Sequence, residues 1–275
     1  MSTNMKHYRL TPAFTMLELI FVIVILGIVA SIGSEMIAKV YESYIVQRAE
    51  HRATMKTELA ATQIANRLAS AIPGTVYRIR KSDNGYEPVE SDFGGLSGDD
   101  YKGLKWVGSD TDSFSATATP GWSGFCDIDD PANSKNSIST PGSALGTTTT
   151  IINNLSASAP APKIYFPYDP TEYNATIAGT TISLTGAGAS HIVEHYKLAW
   201  SSYALIVEGG DLYLYYDFAA TPTATFTGET KSLLMKNVST FKFQGAGRTI
   251  RFKICKQENI GEDFNITACK EKAVF

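Results

Sequence analysis

From Leu19 to Ile32 the chain carries no charge and almost no polar side chain, and one carboxylate, Glu18, stands at the entrance to that run. An apolar stretch of about 20 residues is long enough to cross a bilayer as a helix. After Ser34 the pattern turns amphipathic. Ile37, Tyr41, Tyr44, Ile45, Met55, Leu59, Ile64 and Leu68 recur at helical spacing among Lys39, Glu42, Arg48, Glu50, Arg52, Lys56, Glu58 and Arg67, which predicts a helix with one apolar side. No proline lies between Pro12 and Pro73, and Ile72-Pro73-Gly74 supplies the stop. A helix over 14–71 would be about 87 Å long. The pattern assigns 14–33 to a transmembrane helix and 34–72 to an amphipathic outer helix whose stripe packs on a local sheet. Residues 73–275 form a β-rich globular domain.

Beyond the helix, Val76–Arg80 reads as a first strand. The stretch from Ser91 to Pro162 is rich in Gly, Ser, Thr, Asp and Pro and includes the run Thr147–Thr150. That composition favours loops and short strands, with Leu104–Val107 and Ile164–Phe166 as strand candidates. The end of the chain is strongly β. Tyr203–Val207 and Leu212–Tyr216 flank Glu208-Gly209-Gly210-Asp211, a hairpin signature. Phe241–Phe243 and Thr249–Ile254 flank Gln244–Gly247 in a second hairpin. In its latter strand Ile250, Phe252 and Ile254 share one face and Arg251 and Lys253 the other. The class expected is α+β: a long N-terminal transmembrane helix packed by its outer half on a C-terminal antiparallel sheet.

A charged side chain inside a membrane costs roughly 2.5–3.5 kcal/mol or more, so an intramembrane acid normally has a partner and a task. The sequence encodes no cation beside Glu18, but cleavage before Phe14 would create one, the new α-amine. The basic leader 1–13, the small residue Ala13, the motif Phe14-Thr15-Met16-Leu17-Glu18 and the unbroken apolar run together resemble the N-terminus of the type IV pilin and pseudopilin superfamily. Ala13 replaces the family's usual Gly before the cut, and Met16 its usual Leu. The resemblance implies cleavage between Ala13 and Phe14 by a prepilin peptidase and N-methylation of Phe14. It further implies an assembly role for Glu18 opposite the Phe14 amine of a neighbouring copy. The implied partners are the prepilin peptidase, other pilin or pseudopilin subunits, an inner-membrane assembly platform and the membrane itself. The implied location is the bacterial inner membrane, single pass, with the C-terminal domain in the periplasm, and then a filament. The length, the Arg-bearing first strand, the variable middle and the run Leu233–Val238 leading into the last hairpin look like the J-type and W-type minor subunits. The expected function is therefore a structural subunit of a type II secretion pseudopilus or type IV pilus-like filament.

An ordinary secretory signal peptide also has a basic start, but it seldom carries an acid at the head of its apolar core. Removal of 1–13 takes Lys6 and Arg9, leaving 22 basic against 27 acidic residues. The basic leader would stay cytoplasmic, and the mildly acidic body gives no sign of a nucleic-acid-binding surface. The three cysteines, Cys126, Cys255 and Cys269, can oxidise outside the cytoplasm and allow three single pairs. Cys255 and Cys269 enclose a short loop suited to a disulfide, whose closure is worth about 3 kcal/mol in the chain-entropy model. Cys126 is then either a free buried thiol or the true partner of one of the other two.

One segment points to catalysis. His191-Ile192-Val193-Glu194-His195, on a helix, would set two imidazoles one turn apart with a carboxylate beside them, as in inverted-motif zinc peptidases. Its flanks, Gly186–Gly188 and the β-like run from Tyr196, make no long helix. A membrane-anchored periplasmic metal-dependent enzyme using His191, Glu194 and His195 is thus the alternative reading, and the first reading has no catalytic residue, metal or cofactor. Asp127-Ile128-Asp129-Asp130 lacks the EF-hand spacing of a calcium loop and reads as solvated. Asn154, Asn174, Asn237 and Asn265 begin Asn-x-Ser/Thr sites. Asn174 and Asn265 are the candidate glycosylation acceptors, because an acid lies two residues upstream of each (Glu172 and Asp263).

Overall fold

The computed structural model describes residues 15–91, 96–116, 118–156, 161–167, 169, 171–226, 230–261 and 264–275. Helix α1, Met16–Ala69, is followed by antiparallel strands, so the class is α+β. The chain divides after Ala49 into two units: the residues up to Ala49, and Glu50–Phe275.

In the first unit the helix carries the apolar run. In the second, the last turns of α1 enter a shared core. Ala60, Ala61, Ile64 and Leu68 cluster with Leu104, Trp106, Leu205, Phe243, Phe252 and Ile254. The buried face of these turns is Ala53, Thr57, Ala60, Ala61, Ile64 and Leu68, spaced three or four residues apart along one line of the helix. Of the stripe read from the sequence, only Ile64 and Leu68 belong to this face. Met55 and Leu59 are 59% and 61% exposed, because they stand two residues from Thr57, about 200° round the helix. Size misled the pattern: this face is lined by small side chains, which let the helix approach its neighbours closely. Along its rim, Glu58 pairs with Lys270 at 2.7 Å and Lys272 at 2.9 Å. The Lys270 and Lys272 ammonium groups hold the Glu58 carboxyl down to about 2.

Among the described residues the strands form three antiparallel sheets. The six-stranded sheet runs β11-β10-β9-β3-β1-β2, with β1 Tyr77–Arg80, β2 Tyr86–Pro88, β3 Tyr101–Gly108, β9 Ser201–Glu208, β10 Asp211–Phe218 and β11 Lys231–Met235. The β9–β10 hairpin closes through Gly209 and Gly210 at φ 59° and 85°, the left-handed pair that a two-residue type I′ loop requires. In β1, Arg78 and Arg80 both bind Glu87 at 2.9 Å, which ties the β1–β2 hairpin.

The three-stranded sheet is β12 Val238–Ala246, β13 Thr249–Asn259 and β14 Asn265–Val274. Gln244, Gly245 and Ala246 continue the strand, so the turn lies at Gly247 and Arg248, with Ala246 paired to Thr249. Ile250, Phe252 and Ile254 are buried and Arg251 is exposed, as the period of two predicts. Cys255 and Cys269 stand directly opposite each other on β13 and β14 and are joined in a disulfide, which fastens the C-terminal strand. Cys126 is free and buried.

The middle of the chain is more ordered than its composition indicates. The five-stranded sheet β4-β7-β6-β5-β8 comprises β4 Ser137–Ser139, β5 Lys163–Tyr165, β6 Tyr173–Ala178, β7 Thr181–Leu184 and β8 Lys197–Ala199. It shares a core with α3, Leu145–Leu155, through Leu145, Ile152, Ile164, Ile182 and Leu198. A short helix α2, Thr111–Phe114, precedes it, with Asp110 accepting from the Ser113 N–H as its N-cap. The threonine run is helical, not loop. Thr149 and Thr150 hydroxyls bond back to the Leu145 and Gly146 carbonyls, which satisfies them within the helix, and Thr148 is buried.

Lys105 is fully buried in β3. Its ammonium donates to the Pro222 carbonyl at 2.8 Å and to that of Ala224, and lies 4.5 Å from the Tyr86 ring centre. Burial pushes its pKa from the ordinary 10.5 down to about 8. Between those values the unfolded chain holds a proton that the folded chain has released, so stability rises with pH, by up to about 1.4 kcal/mol per pH unit. Unfolding of the full chain in detergent between pH 8 and 10 should show this rise, and Lys105→Met should flatten it. An unchanged slope in the variant would remove Lys105 as its source.

Candidate functional site

Residues 1–13 and the Ala13–Phe14 cut lie outside the described residues. The site begins at Thr15, which precedes the first turn of α1. Its carbonyl accepts from the Leu19 N–H at 3.2 Å, and its hydroxyl accepts from the Glu18 N–H at 3.3 Å. Thr15 therefore caps the helix N-terminus. Thr15-Met16-Leu17-Glu18 fits the capping-box pattern, Ser/Thr-x-x-Glu ahead of an apolar run, which places Glu18 at the third helical position. A carboxylate there also complements the helix dipole. The apolar pattern alone drew attention to Glu18 and missed Thr15; the three-residue spacing was the available signal.

Beyond Glu18 the apolar side chains from Leu19 to Ile32 are 48–68% exposed, all round the helix. Among the described residues α1 is the one helix long and apolar enough to cross a membrane. In water such a surface is costly, at about 25 cal/mol per Å² of apolar area, and its length and composition are those of a helix that could span a membrane. Glu18 is an exposed carboxylate at the head of that surface. A cation placed there in a dry environment would pair with it.

The other candidates are scattered. Ser190–Glu194 is not helical, and His195 forms an isolated bridge with Phe125 with the two rings edge-on at 6.3 Å. The one-turn spacing that the zinc motif needs is therefore not formed. Among the described residues no three His, Cys, Asp or Glu side chains group as a metal site. In the acidic loop the carboxylates cap turns: Asp127 accepts from the Asp129 N–H at 3.2 Å and Asp130 from the Ala132 N–H at 2.8 Å. The Cys126 thiol lies 3.7 Å from Asn133 Oδ1. Burial, with Asp127 and Asp130 nearby, pushes its pKa up, which keeps it protonated and unreactive.

Asn174 is exposed on β6, and its carbonyl oxygen accepts from the Lys163 ammonium. Asn265 is exposed at the start of β14; Asp263, the acid of its longer motif, lies outside the described residues. No protein-family model, curated protein or solved structure matches the chain.

Proposed function

We propose that this chain is a structural subunit of a type II secretion pseudopilus or type IV pilus-like filament. In this reading a prepilin peptidase cuts after Ala13 and methylates the Phe14 amine. The apolar turns of α1 hold the subunit in the inner membrane, single pass, with the β domain in the periplasm. The inner-membrane assembly platform then draws it into the filament. There, contacts with other pilin or pseudopilin helices replace lipid contacts, and Glu18 pairs with the Phe14 amine of a neighbour. Asn174 and Asn265 are the surface positions open to glycosylation. The observation that carries the reading is the combination in α1 of an all-round exposed apolar surface and one carboxylate at its head.

Processing tests it. In cells with a prepilin peptidase the mature chain should begin at Phe14, about 1.5 kDa lighter than the precursor by residue masses, with one added methyl group. N-terminal mass spectrometry reads both. An intact Met1 terminus in those cells, or a cut beyond Ile32, contradicts the proposal.

A further inference from the structure

A cleft of about 570 Å³ opens in the β domain between the flank of α1 and a face of the six-stranded sheet. Its volume falls within the ~300–1,000 Å³ of small-molecule sites. The sheet side presents Tyr203 of β9 and Tyr216 of β10, with Trp200 at the edge. The helix side presents Gln63, Asn66 and Arg67, which share one flank at steps of three and four residues. Asp112 of α2 lines the same space.

These polar groups are not used up by the fold. Neither hydrogen bond nor ion pair engages the side chains of Gln63, Asn66 and Asp112 among the described residues. The Arg67 guanidinium lies over the Tyr203 ring, 5.5 Å from its centre, a cation–π contact that holds it against the aromatic wall. Tyr203 is itself stacked on buried Trp106 at 5.9 Å, so the wall is rigid.

The donor set defines the ligand. The amides of Gln63 and Asn66 each offer both donors and an acceptor, the guanidinium only donates and the carboxylate only accepts. An anion would meet Asp112 and a cation would meet Arg67. An apolar ligand would strip water from the amides without replacing its hydrogen bonds. Vicinal hydroxyls, each donor and acceptor at once, suit this mixture, and the C–H face of a six-membered sugar ring suits the exposed Tyr216 ring. We propose that the cleft binds a neutral pyranose saccharide, stacked on Tyr216, packed beside the Arg67–Tyr203 pair and hydrogen-bonded by Gln63, Asn66, Arg67 and Asp112. This activity is independent of filament assembly.

The test is saturation-transfer NMR on the full chain in a detergent without sugar headgroups, with cellobiose and N,N′-diacetylchitobiose as probes. Glucuronate and a tetra-alanine peptide serve as the anionic and extended-peptide comparisons. Transfer should be strongest to the C–H protons of one sugar face and weak to both comparisons. Tyr216→Ala should weaken binding about tenfold, the worth of one lost ring contact. Asn66→Ala, on the exposed helix flank, should act similarly and guards against loss of fold in the first variant. Leu233→Ser, in β11 but on the opposite face from the cleft-lining Ser232 and Leu234, should leave binding unchanged. Absence of transfer to either sugar from the native chain, indifference to both cleft variants, or stronger transfer to the peptide or glucuronate would each overturn the assignment.

Discussion

Phe252→Ala will cost about 3–5 kcal/mol, the transfer term plus the cavity left by a ring with no room to relax around it. Phe252 is fully buried and belongs to the core shared by the last turns of α1 and β13. Because native stability is about 5–15 kcal/mol in total, one substitution removes a large share, and the β domain should unfold at markedly lower denaturant concentration. The adjacent Arg251→Ala is the control. Arg251 is 56% exposed and pairs with Glu271, an exposed pair worth at most about 1 kcal/mol. Denaturant unfolding of the full chain in detergent, followed by near-ultraviolet circular dichroism, compares them. A cost for Phe252→Ala no greater than that for Arg251→Ala would contradict the placement of the core.

That core was legible in outline. The alternation Ile250-Arg251-Phe252-Lys253-Ile254 fixes the buried face of β13, and Gly209-Gly210 fixes the first hairpin, because period and turn chemistry are local properties. The helix face was misread because Met55 and Leu59 are large and apolar, whereas the core accepts Ala53, Thr57, Ala60 and Ala61. What a helix buries depends on how closely its neighbours approach, and that is not local. The threonine run was misread for a related reason: composition indicates loop, but burial of Leu145, Thr148 and Ile152 stabilises helix over local preference. The disulfide was one of three pairings open from spacing, and the register of β13 against β14 selects it. For the candidate site, the apolar pattern points to Glu18, and the Ser/Thr-x-x-Glu spacing is the local signal for the bond from its backbone N–H to the Thr15 hydroxyl. The cleft of Tyr203, Tyr216 and Asn66 gathers residues some 150 positions apart in sequence, and no motif announces it.

Glu18 carries the second large effect. In the proposed reading its carboxylate pairs with a neighbour's amine, whereas the bond that caps the helix start runs from its backbone N–H to the Thr15 hydroxyl and survives substitution of the side chain. Glu18→Ala removes the carboxylate and keeps the capping bond. Glu18→Gln keeps the size and polarity of the side chain and removes only the charge. Neither variant should harm membrane insertion, since a costly acid is lost, and neither alters the residues flanking the cut. Assembly should fail in both, because the unpaired Phe14 amine of the neighbour would be left in a dry helix bundle. Breaking one member of a buried pair costs about 3–5 kcal/mol, which is roughly a hundredfold to several-thousandfold loss in association.

The most direct measurement is the fraction of Glu18→Gln protein that co-purifies with sheared filaments or with its partner subunits, divided by its level in the membrane. The account predicts a mature Phe14 terminus, a native membrane level and near-complete loss from the filament fraction. Native recovery of Glu18→Gln in that fraction would contradict it and leave Glu18 as an exposed carboxylate in the first turn of α1, complementing the helix dipole.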